Sequence, residues 1–306
     1  MADKNIRVKY SKEFDLQRQV VSHITSLSWQ NIPHITYLYE PDISDFYNEF
    51  NKLKQLKEKS GKKVSINTIL LKVIIEGLKA DPELNALLDY NQRKARGKVY
   101  VCEDINLTVP WKLADGRMIT PTLLNTGSLS LDELADAVSL LGKKIANTNI
   151  DELLHQAAIQ DTLNEVKKVN LGMVPRILAN FSRLKGLSGK AKKAYYGISK
   201  EERLTDSDLT SGTVTVSNIG SLYKAQRGFF GLIEIIPHQI FAIGLGAIQE
   251  KPGVFTNKNN EKEVGIRNIL PMCLVFDHRA VDFDAVIPFI KKLDEIFAQP
   301  EVIRNW

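Results

Sequence analysis

Cysteine is scarce in this 306-residue chain. Cys102 and Cys273 lie far apart and lack metal-ligand spacing. That excludes a disulfide framework, reads as two buried small hydrophobes, and suits a reducing, cytoplasmic setting. No apolar run reaches the roughly 18–20 residues that a membrane span needs. The opening MADKNIRVKYSKEF is too polar for a secretory signal. No Walker loop, nucleophile-elbow pentapeptide or zinc-type histidine–carboxylate spacing is present. Gly244-Leu245-Gly246 is followed by Gln249 where a dinucleotide fingerprint needs its third glycine. Internal repeats and Pro- or Ser-rich linkers are also missing, so one domain over 1–306 is the simplest partition.

Charge is present but unevenly placed. Lys167, Lys168, Arg176, Arg183, Lys185, Lys190, Lys192 and Lys193 follow one another with no acid between them. Without those eight the chain would carry −3 rather than +5. The basicity is therefore local, and it lacks the aromatic interleaving of a single-strand-binding groove, so no nucleic-acid partner is expected. Leu171, Val174, Leu178 and Phe181 could share one helical face within this stretch. Two readings stay open for 167–193: a face packed on the domain with solvated charges, or a docking surface for an acidic carrier protein, a lipoyl-type protein or a membrane surface.

Hydrophobic periodicity predicts a leading helix around Leu16–Leu27 and a strand over Ile35–Tyr39. Helices follow over Asp42–Lys59, Val64–Leu78 and Ser130–Ile145. Strands are expected over Lys98–Val109 and Arg117–Leu123, with a turn at Asp115-Gly116. Further strands are expected over Thr213–Asn218, Gln239–Gly246 and Val264–Phe276, before a closing helix over Asp284–Ala298. The order lacks a βαβ rhythm and argues for an α+β sandwich.

Of the five histidines, His278 has the most suggestive setting. It ends the apolar run LPMCLVF, lies in Asp277-His278-Arg279, and precedes Asp282 by four residues. A strand end can fix the ring while the following loop exposes it. A hydrogen-bonded turn histidine is the alternative. Asp282 has an equally plain reading as the N-cap of the closing helix, and Ser217 as a hydroxyl satisfying the turn at Ile219-Gly220.

At these residues the sequence resembles a known family. FDHRAVDFD is similar to the His-Arg-x-x-Asp-Gly signature of the dihydrolipoyl acyltransferase catalytic domain, the core of 2-oxoacid dehydrogenase complexes. Chloramphenicol acetyltransferase shares that fold. Asn31-Ile32-Pro33-His34, SINTILLKVIIEGLKADPELNA, Asp104-Ile105-Asn106-Leu107, Met118-Ile119-Thr120-Pro121, TVTVSNIGS and PEVIRNW resemble further family segments in the same order. The likeness runs from about residue 10 to 306, interrupted at about 150–208. It implies a chloramphenicol acetyltransferase-like two-layer sandwich, with a mixed sheet and helices on one face. It implies a coenzyme A-dependent acyltransferase in which His278 is the general base, Ser217 donates to the oxyanion, and Asp282 pairs with an arginine. Arg18 is the expected partner of Asp282. Coenzyme A or its acyl thioester is expected as substrate, without metal and without covalently bound lipoate in this chain. The resemblance also implies a homotrimer, extendable to a larger cage, with the serine and histidine sides contributed by neighbouring chains.

Phe283 stands where the family has glycine, and the basic stretch has no family counterpart of its length. The expected lack of a lipoyl domain would make the acceptor arrive in trans. Three readings follow: a free-standing acyltransferase acting on a thiol, hydroxyl or amine; a complex core served by separate lipoyl proteins; or a non-catalytic structural homologue.

Overall fold

The computed structural model describes residues 6–156, 186–257 and 259–306. Most of the basic stretch, with Leu171, Val174, Leu178 and Phe181, lies outside them.

A six-stranded mixed sheet organises the fold. Its strands are β1 (His34–Tyr39), β4 (Leu107–Thr108), β7 (Thr122–Leu123), β8 (Val214–Asn218), β9 (Phe241–Leu245) and β12 (Met272–Asp277), in the order β1-β12-β9-β8-β4-β7. β12 runs antiparallel to its neighbours β1 and β9; β9, β8 and β4 run parallel. FAIGL and MCLVFD are apolar almost throughout because both strands are buried on both faces.

Helices α2 (Ser44–Lys59), α3 (Ile66–Ala80), α4 (Leu131–Ala146) and α5 (Ile287–Ala298) contribute to one large core with this sheet. α3 is the central one, which explains its apolarity. Ser65 caps it, accepting from the Thr68 amide at 3.0 Å. Gly77 brings α5 close: a Cβ there would stand 2.6 Å from Phe289 and Leu293 side-chain atoms. The other face carries a smaller cluster of Ile32, Ile233, Ile235, Ala242, Cys273 and Val275, beside the end of α1 (Leu16–Asn31). The α+β sandwich with its main helices on one face is as the sequence implies.

Three elements depart from the expectation. Lys98–Val109 is not one strand. β3 (Arg96–Val101) pairs with β2 (Ala86–Asn91) in a separate ribbon, and the chain then bends into β4. Asn85 holds the bend, its Nδ2 donating to the Cys102 and Asp104 carbonyls at 2.9 and 3.0 Å. Val264–Phe276 breaks at Leu270-Pro271: β11 (Lys262–Ile269) pairs with β10 (Gln249–Thr256), and β12 joins the main sheet. Proline cannot continue a ladder donor pattern, which fixes the break. Arg117–Leu123 likewise divides into β6 (Met118–Ile119), paired with β5 (Trp111–Lys112) across the expected Asp115-Gly116 turn, and β7.

Residues 186–208 are tied to the core. Glu152 accepts from the Leu187 amide at 2.6 Å and from the Tyr196 hydroxyl at 2.5 Å. Burial works to raise the Glu152 pKa, but these two donors outweigh it and hold the carboxyl below its ordinary range. Arg203 lies over the rings of Tyr195 and Tyr196.

Candidate functional site

His278 immediately follows β12, and its amide donates to the Pro33 carbonyl at 3.1 Å. Its Nδ1 lies 3.3 Å from both the Val281 carbonyl and Asp282 Oδ1. Two acceptors at one nitrogen select the Nδ1–H tautomer and leave the Nε2 lone pair available. The imidazole is 49% exposed and the Asp282 side chain 78%. Asp282 occupies the N-cap position of the short 3-10 turn Phe283–Val286, but its side chain makes no capping bond. Orientation of the ring, not helix capping, is its contact.

One neighbour that the sequence reading did not single out as a site residue braces this loop. Asp277, fully buried, holds Arg279 through Nε at 3.0 Å and Nη2 at 2.6 Å, and also accepts from the Arg279 amide. A buried carboxylate needs such a fork to offset its desolvation. His34, opposite Asp277 in the ladder, is committed elsewhere: its Nε2 accepts from the Ile235 amide at 3.2 Å. Burial depresses its pKa.

Ser217 sits on β8 in register with Gly244 of β9, and Gly244 with Cys273 of β12. Among the described residues its hydroxyl has no hydrogen-bond partner. The turn after it is fixed. Asn218 Oδ1 accepts from the Ser221 amide at 3.0 Å, and Asn218 Nδ2 donates to Asn67 at 2.8 Å. Gly220 is required by close approach: a Cβ there would stand 2.5 Å from the Gly246 carbonyl oxygen. A cavity of about 270 Å³ opens beside the strand end, lined by Leu71, Trp111, Leu123, Val216, Asn218 and Leu222 among others.

The structure brings His278 and Asp282 together but separates both from Ser217. Five residues of extended chain divide the Cys273 level from His278, about 16 Å along the strand, and two strand spacings add about 10 Å sideways. Arg18 is also apart. It lies in the first turn of α1, whereas the Pro33 carbonyl that holds His278 follows the last turn, roughly 20 Å away at 1.5 Å per residue. The expected Arg18–Asp282 pair does not form within the chain; Arg18 instead lines a cleft with Arg117 and Asp115. Phe283 packs against Tyr37, ring centroids 5.0 Å apart. Among the described residues no cluster of three or more His, Cys, Asp or Glu is placed to hold a metal ion.

This architecture is that of acyltransferase cores. The chain superposes on the cubic core of a pyruvate dehydrogenase multienzyme complex with a TM-score of 0.64 at 18% identity, covering 99% of each chain. It superposes on the Azotobacter vinelandii dihydrolipoamide acetyltransferase with a TM-score of 0.63 at 19% identity, again covering 99% of each. That structure was solved to investigate a serine, a histidine and an asparagine in the enzyme's catalytic mechanism. The chain belongs to the family of 2-oxoacid dehydrogenases acyltransferase (catalytic domain), matched over residues 9–156 and 182–304. The break in that match is thus 157–181, shorter than the 150–208 expected. A curated relative, the dihydrolipoyllysine-residue acetyltransferase component of the pyruvate dehydrogenase complex of Acholeplasma laidlawii, is 26% identical over 94% of this chain and 40% of its own length. The chain therefore spans less than half of that protein.

Proposed function

We propose that this chain transfers an acyl group between coenzyme A and a thiol, with a dihydrolipoyl group as the acceptor class, at a site shared between two copies of the chain. The observation that carries the reading is the oriented imidazole: Nδ1 faces Val281 and Asp282 while Nε2 is left as a base. Nε2 takes the acceptor thiol's proton as sulfur attacks the thioester carbonyl. The tetrahedral oxyanion then accepts a hydrogen bond from the Ser217 hydroxyl, which has no partner inside the described chain. Collapse breaks the carbon–sulfur bond to coenzyme A, and the departing thiolate recovers the proton from the imidazolium. General-base action is worth about 10²–10⁴-fold, and one oxyanion donor about 10²–10³-fold.

Ser217 cannot reach His278 in one chain, so the serine is supplied by a neighbouring copy. Membership of a family with a cubic-core member supports assembly into trimers and a larger cage. So does the β10–β11 ribbon, where Val254 and Val264 stand opposite each other 67% and 76% exposed, beside Ile266 at 78%. In such an assembly an Arg18–Asp282 pair forms across the interface between copies.

Subunit complementation tests the reading. His278→Ala and Ser217→Ala are each expected to be inactive alone with acetyl-coenzyme A and dihydrolipoamide. Dissociated and reassembled together, they should regain a fraction of parental activity, because some interfaces then carry both intact groups. Absence of recovery in mixed oligomers of parental size would refute the shared site.

A further inference from the structure

The ribbon formed by β2 and β3 takes no part in the chemistry above. Its tip carries Arg93, Lys94, Arg96 and Lys98, and residues 90–102 contain no acid. None of the four cations has an ion-pair partner among the described residues; Lys98 lies over the Tyr100 ring at 4.7 Å. All six residues of β3 are exposed, so this is a raised surface, not a pocket. Tyr90, Val99, Tyr100 and Val101 add exposed apolar area beside the charges. Tyrosine, arginine and aliphatic surface together are the composition of a protein-binding patch more than of a nucleic-acid groove.

The ribbon is also coupled to the histidine loop. Tyr90 is paired with Gly97, and its ring passes 3.0 Å from where a Gly97 Cβ would stand. Arg279, clamped by buried Asp277, lies 5.2 Å over that ring. Through Arg279 the ribbon therefore touches the loop that carries His278. A hydrogen bond from the Leu88 amide to the His238 carbonyl at 2.7 Å and a bridge from Leu87 to Gln239 tie the base of the ribbon to the core.

We infer that the β2–β3 ribbon is the docking surface for an acidic protein domain that delivers the acceptor thiol to His278. The inference rests on the acyl-transfer reading for the identity of the cargo, and on charge and position for the surface. Exposed charges at the rim of an interface act chiefly by steering encounter, and salt screens them beyond roughly 8–10 Å. The surface therefore discriminates between the same acceptor group free in solution and borne by an acidic protein.

The test compares the parent with a variant carrying Arg93→Gln, Lys94→Gln, Arg96→Gln and Lys98→Gln, and with the double reversal Arg96→Glu, Lys98→Glu. The probe is an acidic domain bearing a dihydrolipoyl-lysine; free dihydrolipoamide is the control. Calorimetric binding at low ionic strength should weaken at least about tenfold in the neutralised variant, and further in the reversal. Raising salt should narrow the gap, and turnover of free dihydrolipoamide should hold. Unchanged binding overturns the inference, as does an equal loss with the free acceptor. Tighter parental binding to anionic phospholipid vesicles or to an oligonucleotide than to the acidic domain also overturns it. If the parent turns over neither acceptor, the acyl-transfer reading fails while the binding comparison still decides the docking surface.

Discussion

At the Ser217 end of the sheet, backbone packs on backbone: a methyl group at Gly220 would collide with the Gly246 carbonyl, and Asn218 is bonded on both sides of its amide. At the His278 end the working groups stand in the open, the imidazole 49% and the Asp282 carboxylate 78% exposed. The first end is set by sterics and tolerates no added atom. The second is set by hydrogen bonds from a loop that a buried Asp277–Arg279 pair supports. Damage at the first should appear as lost folding as well as lost rate; damage at the second should appear in rate with the fold intact.

The sharpest way to break that contrast is His278→Ala. Turnover should fall at least about 10²-fold, while the melting temperature stays close to the parent's, because the side chain is half exposed. Retention of more than about a tenth of the activity would remove His278 from the base role. Ser217→Ala should lower kcat about 10²-fold with little change in KM, since an oxyanion exists only in the transition state. A rise in KM alone would make it a binding residue.

Gly220→Ala probes the steric end directly. The added methyl group should destabilise the fold by about 1–3 kcal/mol, read by denaturant midpoint. A wild-type midpoint would show that the turn relaxes freely. Asp282→Asn should reduce activity modestly, about tenfold or less, and leave stability unchanged, because its exposed carboxylate orients a ring and forms no ion pair with Arg18 in the chain. A large fall in melting temperature would restore a stabilising partner.

The smallest effect lies at Asp81, where α3 ends. Burial and then Glu83 raise its carboxyl to about 6, and its Oδ2 is buried without a partner. The folded value exceeds the unfolded one, so its contribution to stability is full below about pH 4 and is lost as pH rises through about 6. Asp81→Asn should gain stability relative to the parent as pH climbs from 4 to 7, by about 1 kcal/mol once solvent screening is allowed for. A pH-independent difference between the two proteins would contradict this.

Much of this was legible in the residues. α3 was readable from Ser65 and a mostly apolar stretch, and Asp115-Gly116 from turn chemistry. β2 was not, because ALLDYN has only three apolar positions before its polar tip, and β10 (QEKPGVFT) contains proline and glycine. The bend between β3 and β4 is held by Asn85, about twenty residues upstream, a contact that no local pattern encodes. His278 and Asp282 were readable because they lie four apart on one turn. Arg18 was not placeable, because a sixteen-residue helix separates it from the loop it was expected to join.

The Glu152 bond to Leu187 fastens together two points of the chain thirty-five positions apart. One carboxylate thus anchors the start of the 186–208 segment by two donors at once, the Leu187 amide and the Tyr196 hydroxyl. Its removal in Glu152→Ala would let that segment peel from the core ahead of the sheet, and protease would cut between 186 and 197 first.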